Sequence, residues 1–206
     1  MSVDYPGSLL DHRLPFRAEA HEVEQALEVT GALGFDPPAD DRLELALGEV
    51  DPAEPGYVVV HPGASVPART MPPALVIGVV ERLAETTRVV VTGSDLERKM
   101  EPLPPLPSSV EDRRGGTSFA ELARVIAAAD AIVVGNTGPA HVAAATGTPV
   151  VSVFAPVVPA HRWRPWRVPH VLLGDQTIAC AGCRARVCPF PIQHCVEKIT
   201  VDDVLG

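Results

Sequence analysis

The chain has 206 residues, of which 46% are hydrophobic and 21% charged, enough for one well-buried core but too few for two full domains. It contains no apolar stretch of the about 18–20 residues that a membrane-spanning helix needs, and its first 30 residues lack the basic-then-apolar pattern of a signal peptide. These features predict a soluble, cytoplasmic protein with no membrane span, and they leave peripheral association with a membrane open.

The net charge of −9 is concentrated at the front of the chain. Residues 1–55 carry 13 acidic and 3 basic side chains, whereas residues 56–206 carry 13 acidic and 14 basic ones. Nucleic-acid binding needs clustered Lys and Arg for phosphate contacts and aromatic side chains for stacking, and aromatic residues make up only 4% here. The sequence therefore argues against nucleic acid as a partner.

The first quarter of the chain also differs from the rest in its hydrophobic pattern. Apolar side chains recur at helical spacing over residues 18–33, up to Gly34 and a proline pair, which predicts a helix there. The stretch that follows is polar and turn-rich, apart from an alternating run at residues 43–47. We interpret residues 1–55 as an acidic lead-in or interdomain region and residues 56–206 as one folded domain.

Beyond residue 56, short apolar runs alternate with helical patterns, which is typical of strands buried on both faces of a parallel sheet. Strands are predicted at residues 57–60, 89–91, 131–134, 150–154 and 170–173. Helices are predicted from Pro72, from the capping box of Ser118 and Glu121, over residues 139–146, and from Thr200, with a proline-rich loop over 99–116. This order predicts an α/β fold, a Rossmann-like doubly wound parallel sheet that binds ligands beyond the carboxyl ends of its strands.

One loop between a predicted strand and a short helix has the residue types of an anion site. It is Gly135-Asn136-Thr137-Gly138-Pro139-Ala140-His141, and neither the dinucleotide-binding nor the P-loop glycine signature occurs elsewhere. A helix N-terminus offers bare amides, Gly138 lets a phosphate approach the backbone, and His141 lies on the first turn. The alternative interpretation is an Asx-type cap beside a structural histidine.

A second loop, His61-Pro62-Gly63-Ala64-Ser65 followed by Arg69, comes directly after the first predicted strand. The first and third predicted strands are commonly near neighbours in such sheets, so we expect Ser65 and Arg69 opposite the loop at residues 136–141. Arginine has a permanent charge and a bidentate fork that suit a diphosphate. A single surface arginine is, however, more often simply solvated.

Together these loops belong to a pattern that resembles the glycosyltransferase family of the lipopolysaccharide heptosyltransferases. The motifs that carry the resemblance are HPGAS with Arg69 and a Met-Pro helix start, the TGS turn at residues 92–94, GGTSFAELARVIAAAD and VVGNTGPAHVAAATGTPVVSVFAP. That family is of the GT-B type, with two facing Rossmann-like domains, and this chain resembles the C-terminal, donor-binding half. The resemblance implies inverting transfer from a nucleoside diphosphate sugar, of the ADP-heptose kind, to a hydroxyl acceptor, with no cofactor required.

The resemblance also implies roles for residues on both loops. Ala64 and Ser65 would line the diphosphate, Arg69 would stabilise the leaving group where the family has a lysine, Glu97 would meet the ribose, and Thr117 would border the base. Phosphate and sugar would be held by four residues of the other loop, Asn136, Thr137, Gly138 and His141. The family often has Asp at position 136, so a carboxylate role is lost there.

An inverting transfer needs a base for the acceptor hydroxyl and a group that stabilises the departing nucleoside diphosphate. Arg69 and the helix N-terminus at Gly138 supply the second, whereas the base is unknown and, in the family, belongs to the N-terminal acceptor domain. We therefore expect the chain to bind donor but to transfer sugar only with that missing domain as partner, which leaves its status as an enzyme open. The alternative is a non-catalytic nucleotide-sugar-binding or protein-docking module.

The end of the chain contains four cysteines within 16 residues, Cys180, Cys183, Cys188 and Cys195. Such a cluster in a cytoplasmic chain favours a structural metal site over disulfides, although the spacing is tighter than in common zinc ribbons. An autotransporter-modifying branch related to the family has a four-cysteine iron site with different spacing. Structural Zn or Fe, free thiols and disulfides all stay open. The arginines around this loop, interleaved with two tryptophans, indicate either an edge for an anionic acceptor or the missing domain, or a solvated face.

Overall fold

The computed structural model describes residues 13–48, 56–100 and 103–206. The strands are β1 (Tyr57–His61), β2 (Arg88–Val91), β3 (Glu111–Asp112), β4 (Ala131–Gly135), β5 (Val150–Val153) and β6 (His170–Leu173). All pairs are parallel, and the order is β3-β2-β1-β4-β5-β6. The order runs outward in both directions from β1 and β4, so the sheet is doubly wound, as the sequence predicts.

Helices cover both faces of this sheet. They are α1 (Glu22–Ala32), α2 (Pro73–Ala84), α3 (Asp95–Met100), α4 (Phe119–Ala127), α5 (Gly138–Thr146), α6 (Ala160–Trp163), α7 (His194–Glu197) and α8 (Val201–Leu205), with a 3₁₀ turn, η1, at Pro67–Arg69. The four helices predicted after residue 56 are α2, α4, α5 and α8. No helix within the described ranges is long and apolar enough to cross a bilayer.

Alternate strand side chains supply two separate hydrophobic cores. On one face, Val60 and Val133 pack with residues of α2 and α8. On the other face, Val59, Ile132 and Val134 pack with residues of α4 and α5. Because both faces are covered, the strands other than β3 are mostly apolar, which is why the sequence shows them as continuous runs rather than as alternating ones.

The described part of the lead-in region packs on the sheet domain. His21 is the N-cap of α1: its Nδ1 accepts from the Val23 amide at 3.1 Å, and its Nε2 donates to the Arg164 carbonyl at 2.9 Å. Its ring lies 4.4 Å from that of Trp166, whose indole N–H donates to the carbonyl of Asp41. These bonds join the start of α1 and Asp41 to the chain between α6 and β6.

The alternating run at residues 43–47 lies extended against the domain. Leu43, Leu45 and Leu47 pack against the core under α4 and α5, while the residues between them are exposed. Arg124 of α4 donates to the carbonyl of Leu47 at 3.2 Å. The alternation in the sequence therefore reflects one buried and one solvated side of an extended segment.

The prediction of a continuous loop over residues 99–116 is wrong at residues 99–100, which belong to α3, and at residues 111–112, which form β3. Helix α3 extends to Met100, and β3 pairs with β2, with Val90 opposite Glu111. Strand β3 has only two residues, and both are acidic, so it lacks the apolar run that marks the other strands. Edge strands expose one side to solvent and tolerate such charged residues.

Candidate active site

The candidate site lies where β1 and β4 end side by side. Val60 is opposite Val133 and His61 is opposite Val134, so the chain segments that leave the two strands start next to each other. Strand order reverses between these two strands, and open α/β sheets bind ligands in the crevice at such a point. The predicted adjacency of the two candidate loops is therefore confirmed.

Gly135, the last residue of β4, brings Arg69 into this crevice. A Cβ added to Gly135 would lie closer than 3.0 Å to the backbone oxygen of Arg69, so only glycine permits this approach of η1. The Arg69 side chain forms no hydrogen bond or ion pair with any described residue, and its Nε is buried without a partner. A buried donor of this kind lacks an acceptor that a bound anion can supply.

Asn136 and Thr137 follow Gly135 and leave the start of α5 open. Asn136 is 6% exposed and donates through Nδ2 to the carbonyl of Ala155 at 3.1 Å, while its Oδ1 is buried without a partner. Thr137 is the N-cap of α5 but accepts no amide hydrogen bond with its side chain. The Asx-type cap is therefore not formed. Because Pro139 has no N–H and the Ala140 amide donates to the Thr137 carbonyl at 3.0 Å, the Gly138 amide is the first-turn donor that stays available to an anion.

His141 lies on the first turn of α5, with its ring edge-on to Trp163 at a centroid distance of 6.4 Å. Burial lowers the pKa of His141 below its ordinary value, and its interactions with His21 and Arg69 lower this pKa further. The ring is thus neutral at pH 7, with one nitrogen as donor and the other as acceptor. It offers hydrogen bonds to a ligand, whereas the permanent positive charge comes from Arg69.

Glu97 belongs to a neighbouring group of residues on the β2 side of the crevice. Its Oε2 accepts from the Ser94 amide at 2.7 Å, which makes Ser94 and Glu97 a capping box at α3. The His61 ring, 3.6 Å from Oε2, and the Ser94 amide lower the pKa of Glu97 to about 2. A Cβ on Gly63 would lie 2.8 Å from the Cβ of Glu97, so this carboxylate packs directly on the loop after β1.

The remaining predicted site residues lie around these two groups. Ala64 is buried and Ser65 is exposed in the loop after β1. Thr117 follows a turn that is bonded to the β2 side of the crevice, because the Gly115 amide donates to the Gly93 carbonyl at 2.8 Å. The structure therefore brings Arg69 to the loop of residues 136–141 and Glu97 to the loop after β1. Thr117 lies farther along, after the turn that is bonded to the end of β2.

The four cysteines are free thiols, with Cys180 and Cys183 exposed and Cys188 and Cys195 half-buried. In the part of the chain that the structure describes, no three His, Cys, Asp or Glu side chains are placed to hold a metal ion. The cysteines as arranged therefore do not fit a structural Zn or Fe. Burial raises the pKa of Cys195, so this thiol stays protonated at neutral pH.

Two arginines near the tryptophans hold the lead-in segment. Arg167 forms a bidentate pair with Asp41 at 2.9 and 3.0 Å and stacks on the Trp166 ring at 4.9 Å. Arg162 pairs with Glu22 of α1. These contacts fit the interpretation of a solvated face, and they direct both arginines at the lead-in segment.

Two positions in this region carry no signal in the sequence motifs. The first is His21, which lowers the pKa of His141 from the lead-in segment. The second is Gln193, whose Nε2 donates to the carbonyl of Ala68 in η1 at 2.7 Å. In both cases the two interacting residues are more than a hundred positions apart in the sequence. No local sequence pattern predicts contacts of this kind.

The strand order, the two covered faces and the crevice at the reversal point define a Rossmann-like α/β domain of the kind found in GT-B glycosyltransferases. The model of glycosyltransferase family 9 (heptosyltransferase) matches residues 10–194, and the chain belongs to this family.

Solved structures agree with this fold. The chain is similar to the ADP-heptose LPS heptosyltransferase II of E. coli, with a TM-score of 0.68 and 21% identity over 96% of this chain and 64% of that one. The heptosyltransferase WaaC of E. coli with ADP gives a TM-score of 0.63 and 18% identity over 95% of this chain and 58% of that one. The iron-containing dodecameric glycosyltransferase TibC of enterotoxigenic E. coli gives a TM-score of 0.59 and 23% identity over 84% of this chain and 49% of that one.

The chain spans about half to two thirds of the length of these solved relatives. No curated protein matches it.

Proposed function

We propose that this chain is the donor-binding half of a heptosyltransferase-like enzyme. In this proposal the crevice between β1 and β4 binds a nucleoside diphosphate sugar, of the ADP-heptose kind. An N-terminal acceptor domain supplies the base, and the sugar passes to a hydroxyl with inversion. Family membership supports the reaction class. Two structural relatives, the ADP-heptose LPS heptosyltransferase II and WaaC with ADP, support adenine nucleotides as probes.

The observation that carries the proposal is the set of unpartnered polar groups at the reversal point. The Nε of Arg69 and the Oδ1 of Asn136 are both buried without a hydrogen-bond partner. Unsatisfied buried polar groups are rare in folded proteins because each costs about 1–3 kcal/mol. A donor beside a bare helix N-terminus suits a phosphate, and an acceptor next to it suits a sugar hydroxyl.

These groups also suit the chemistry of the leaving group. When the bond between the anomeric carbon and the phosphate oxygen breaks, the bonding electrons stay on the nucleoside diphosphate, which gains negative charge. The Arg69 guanidinium and the Gly138 amide are fixed before this charge develops, and preorganised donors of this kind favour the transition state. The step that removes the acceptor proton is assigned to the N-terminal domain, so we expect the chain alone to bind donor without transferring it.

Titration calorimetry with ADP, GDP, UDP and CDP tests the proposal. We expect the chain to bind ADP, and we expect Arg69→Ala to weaken ADP binding about 10- to 100-fold, as for a lost charge-assisted hydrogen bond of about 1.5–3 kcal/mol. Arg82→Ala is the matched control, because Arg82 is exposed on α2, where its Nε lies 3.8 Å from Oε2 of Glu85. Absence of binding to all four nucleotides, or equal losses in both variants, would contradict the proposal.

The alternative function, a non-catalytic nucleotide-sugar-binding or docking module, differs in what the completed protein does. Sugar transfer by a complex of this chain with a family 9 acceptor domain supports the enzyme, and binding without transfer supports the module. Metal at the cysteine loop is a separate question, because the residues as placed do not fit it. Elemental analysis of protein purified without chelator answers that question: stoichiometric Zn or Fe would show that the loop rearranges around a metal.

A further inference from the structure

We infer that Gln193 is the positioning residue that holds Arg69 in the donor crevice. This inference rests on the proposed function, since it concerns the residue to which we assign leaving-group stabilisation. Gln193 follows the cysteine loop and lies 124 positions beyond Arg69 in the sequence. Its effect on the site runs through the backbone of Ala68, the residue directly before Arg69.

Gln193 is anchored independently of the crevice. Its carbonyl accepts the amides of Val196 and Glu197 at the start of α7, and Val196 is 2% exposed in the core under α2. Gln193 is the N-cap of α7, yet its side chain makes no capping hydrogen bond. Its Nε2 donates to the carbonyl of Ala68 at 2.7 Å, outside its own helix, and also lies 3.8 Å from the Sγ of Cys195, a weak acceptor.

Ala68 is bonded on both sides to the cysteine-bearing end of the chain. It is 1% exposed, and its own amide donates to the carbonyl of Arg186 at 3.0 Å. No side chain caps η1, whose N-cap is Val66. The turn that presents Arg69 is thus held from one side by Arg186 and Gln193, and from the other side by the contact of its last carbonyl with Gly135.

Of these three contacts on η1, the one from Gln193 is made by a side chain and the other two by backbone atoms. A substitution can therefore remove the Gln193 contact without altering the backbone. When the Gln193 side-chain amide is removed, the buried carbonyl of Ala68 loses this hydrogen bond. The backbone of η1 is then less restrained at the residue before Arg69. A binding group that is less preorganised must lose more conformational entropy when the ligand binds. Gln193 therefore affects nucleoside diphosphate binding although it is assigned no contact with the ligand.

The test combines ADP calorimetry with a double-mutant cycle. Gln193→Leu keeps the size of the side chain and removes the donor, and we expect about fivefold weaker ADP binding, the effect of one neutral hydrogen bond. In the Arg69→Ala background, the same substitution should change ADP affinity less than twofold, because the group that Gln193 positions is gone. Gln176→Leu is the matched control. It is the same substitution, but the amide it removes donates to the carbonyls of Phe154 and Gly174 rather than to η1.

Amide hydrogen exchange gives a readout that needs no ligand. In Gln193→Leu, the amides of Ala68, Arg69 and Thr70 should exchange faster than in the wild-type chain, while in Gln176→Leu they should not. Equal losses of ADP affinity from Gln193→Leu with and without Arg69, or unchanged exchange in η1, would overturn the inference. If Arg69→Ala binds ADP as the wild type does while exchange in η1 still rises, the proposed function fails and the structural role of Gln193 stands.

Discussion

Substitution of Gly135 by alanine tests whether η1 is held against the end of β4. The new Cβ would lie so close to the Arg69 carbonyl oxygen that the two atoms must separate by about 1 Å to reach ordinary contact. The obstacle is backbone rather than the flexible end of a side chain, so neither partner moves easily. Overpacking of this kind costs about 1–3 kcal/mol, and we expect that loss in the free energy of unfolding from urea titration.

The same displacement moves Arg69 relative to the first turn of α5. A misplacement of about 1 Å weakens a preorganised contact strongly, so ADP binding should fall by about tenfold or more in Gly135→Ala. The control is Gly31→Ala in α1, where an added Cβ meets no atom within 4 Å and should stabilise the helix slightly. Wild-type stability together with wild-type ADP affinity in Gly135→Ala would refute the contact between η1 and β4.

Two further predictions concern stability. The pKa of Glu97 is lowered to about 2, so its ionised form contributes stability above pH 4.5 that is lost as pH falls toward 2. The difference in unfolding free energy between wild type and Glu97→Gln should therefore shrink by up to about 3 kcal/mol between pH 6 and pH 2; a pH-independent difference would contradict this assignment. His21→Ala removes the α1 cap, the bond to Arg164 and the stacking on Trp166. We expect about 2–3 kcal/mol of destabilisation in urea titrations, and a loss below 0.5 kcal/mol would show that the lead-in segment is not held through His21.

The sequence predicts the elements whose signals are local. The five apolar strands stand out because both faces of the sheet are covered, and the capping box of Ser118 and Glu121 marks the start of α4. A capping box of the same spacing, Ser94 and Glu97, marks the start of α3. The prolines that follow it in the sequence favour a loop, so the helix is missed there. Strand β3 has no such signal, because two acidic residues at a sheet edge match no strand pattern.

For the candidate site, the sequence predicts the loops but not the contacts that shape them. That Arg69 and the loop at residues 136–141 face one crevice follows from the order of strands. That Gly135 must lack a side chain, and that Gln193 reaches Ala68, depend on how distant segments pack. The roles that family resemblance implies for Thr117 and Glu97 remain predictions, although Glu97 does pack directly on Gly63.

The central claim is that the crevice between β1 and β4 binds a nucleoside diphosphate through Arg69 and the start of α5. A crystal structure of this chain with ADP tests it most directly. The account predicts phosphate oxygens within hydrogen-bond distance of the Arg69 guanidinium and the Gly138 amide. ADP bound elsewhere on the surface, or a diphosphate that contacts neither group, would contradict it.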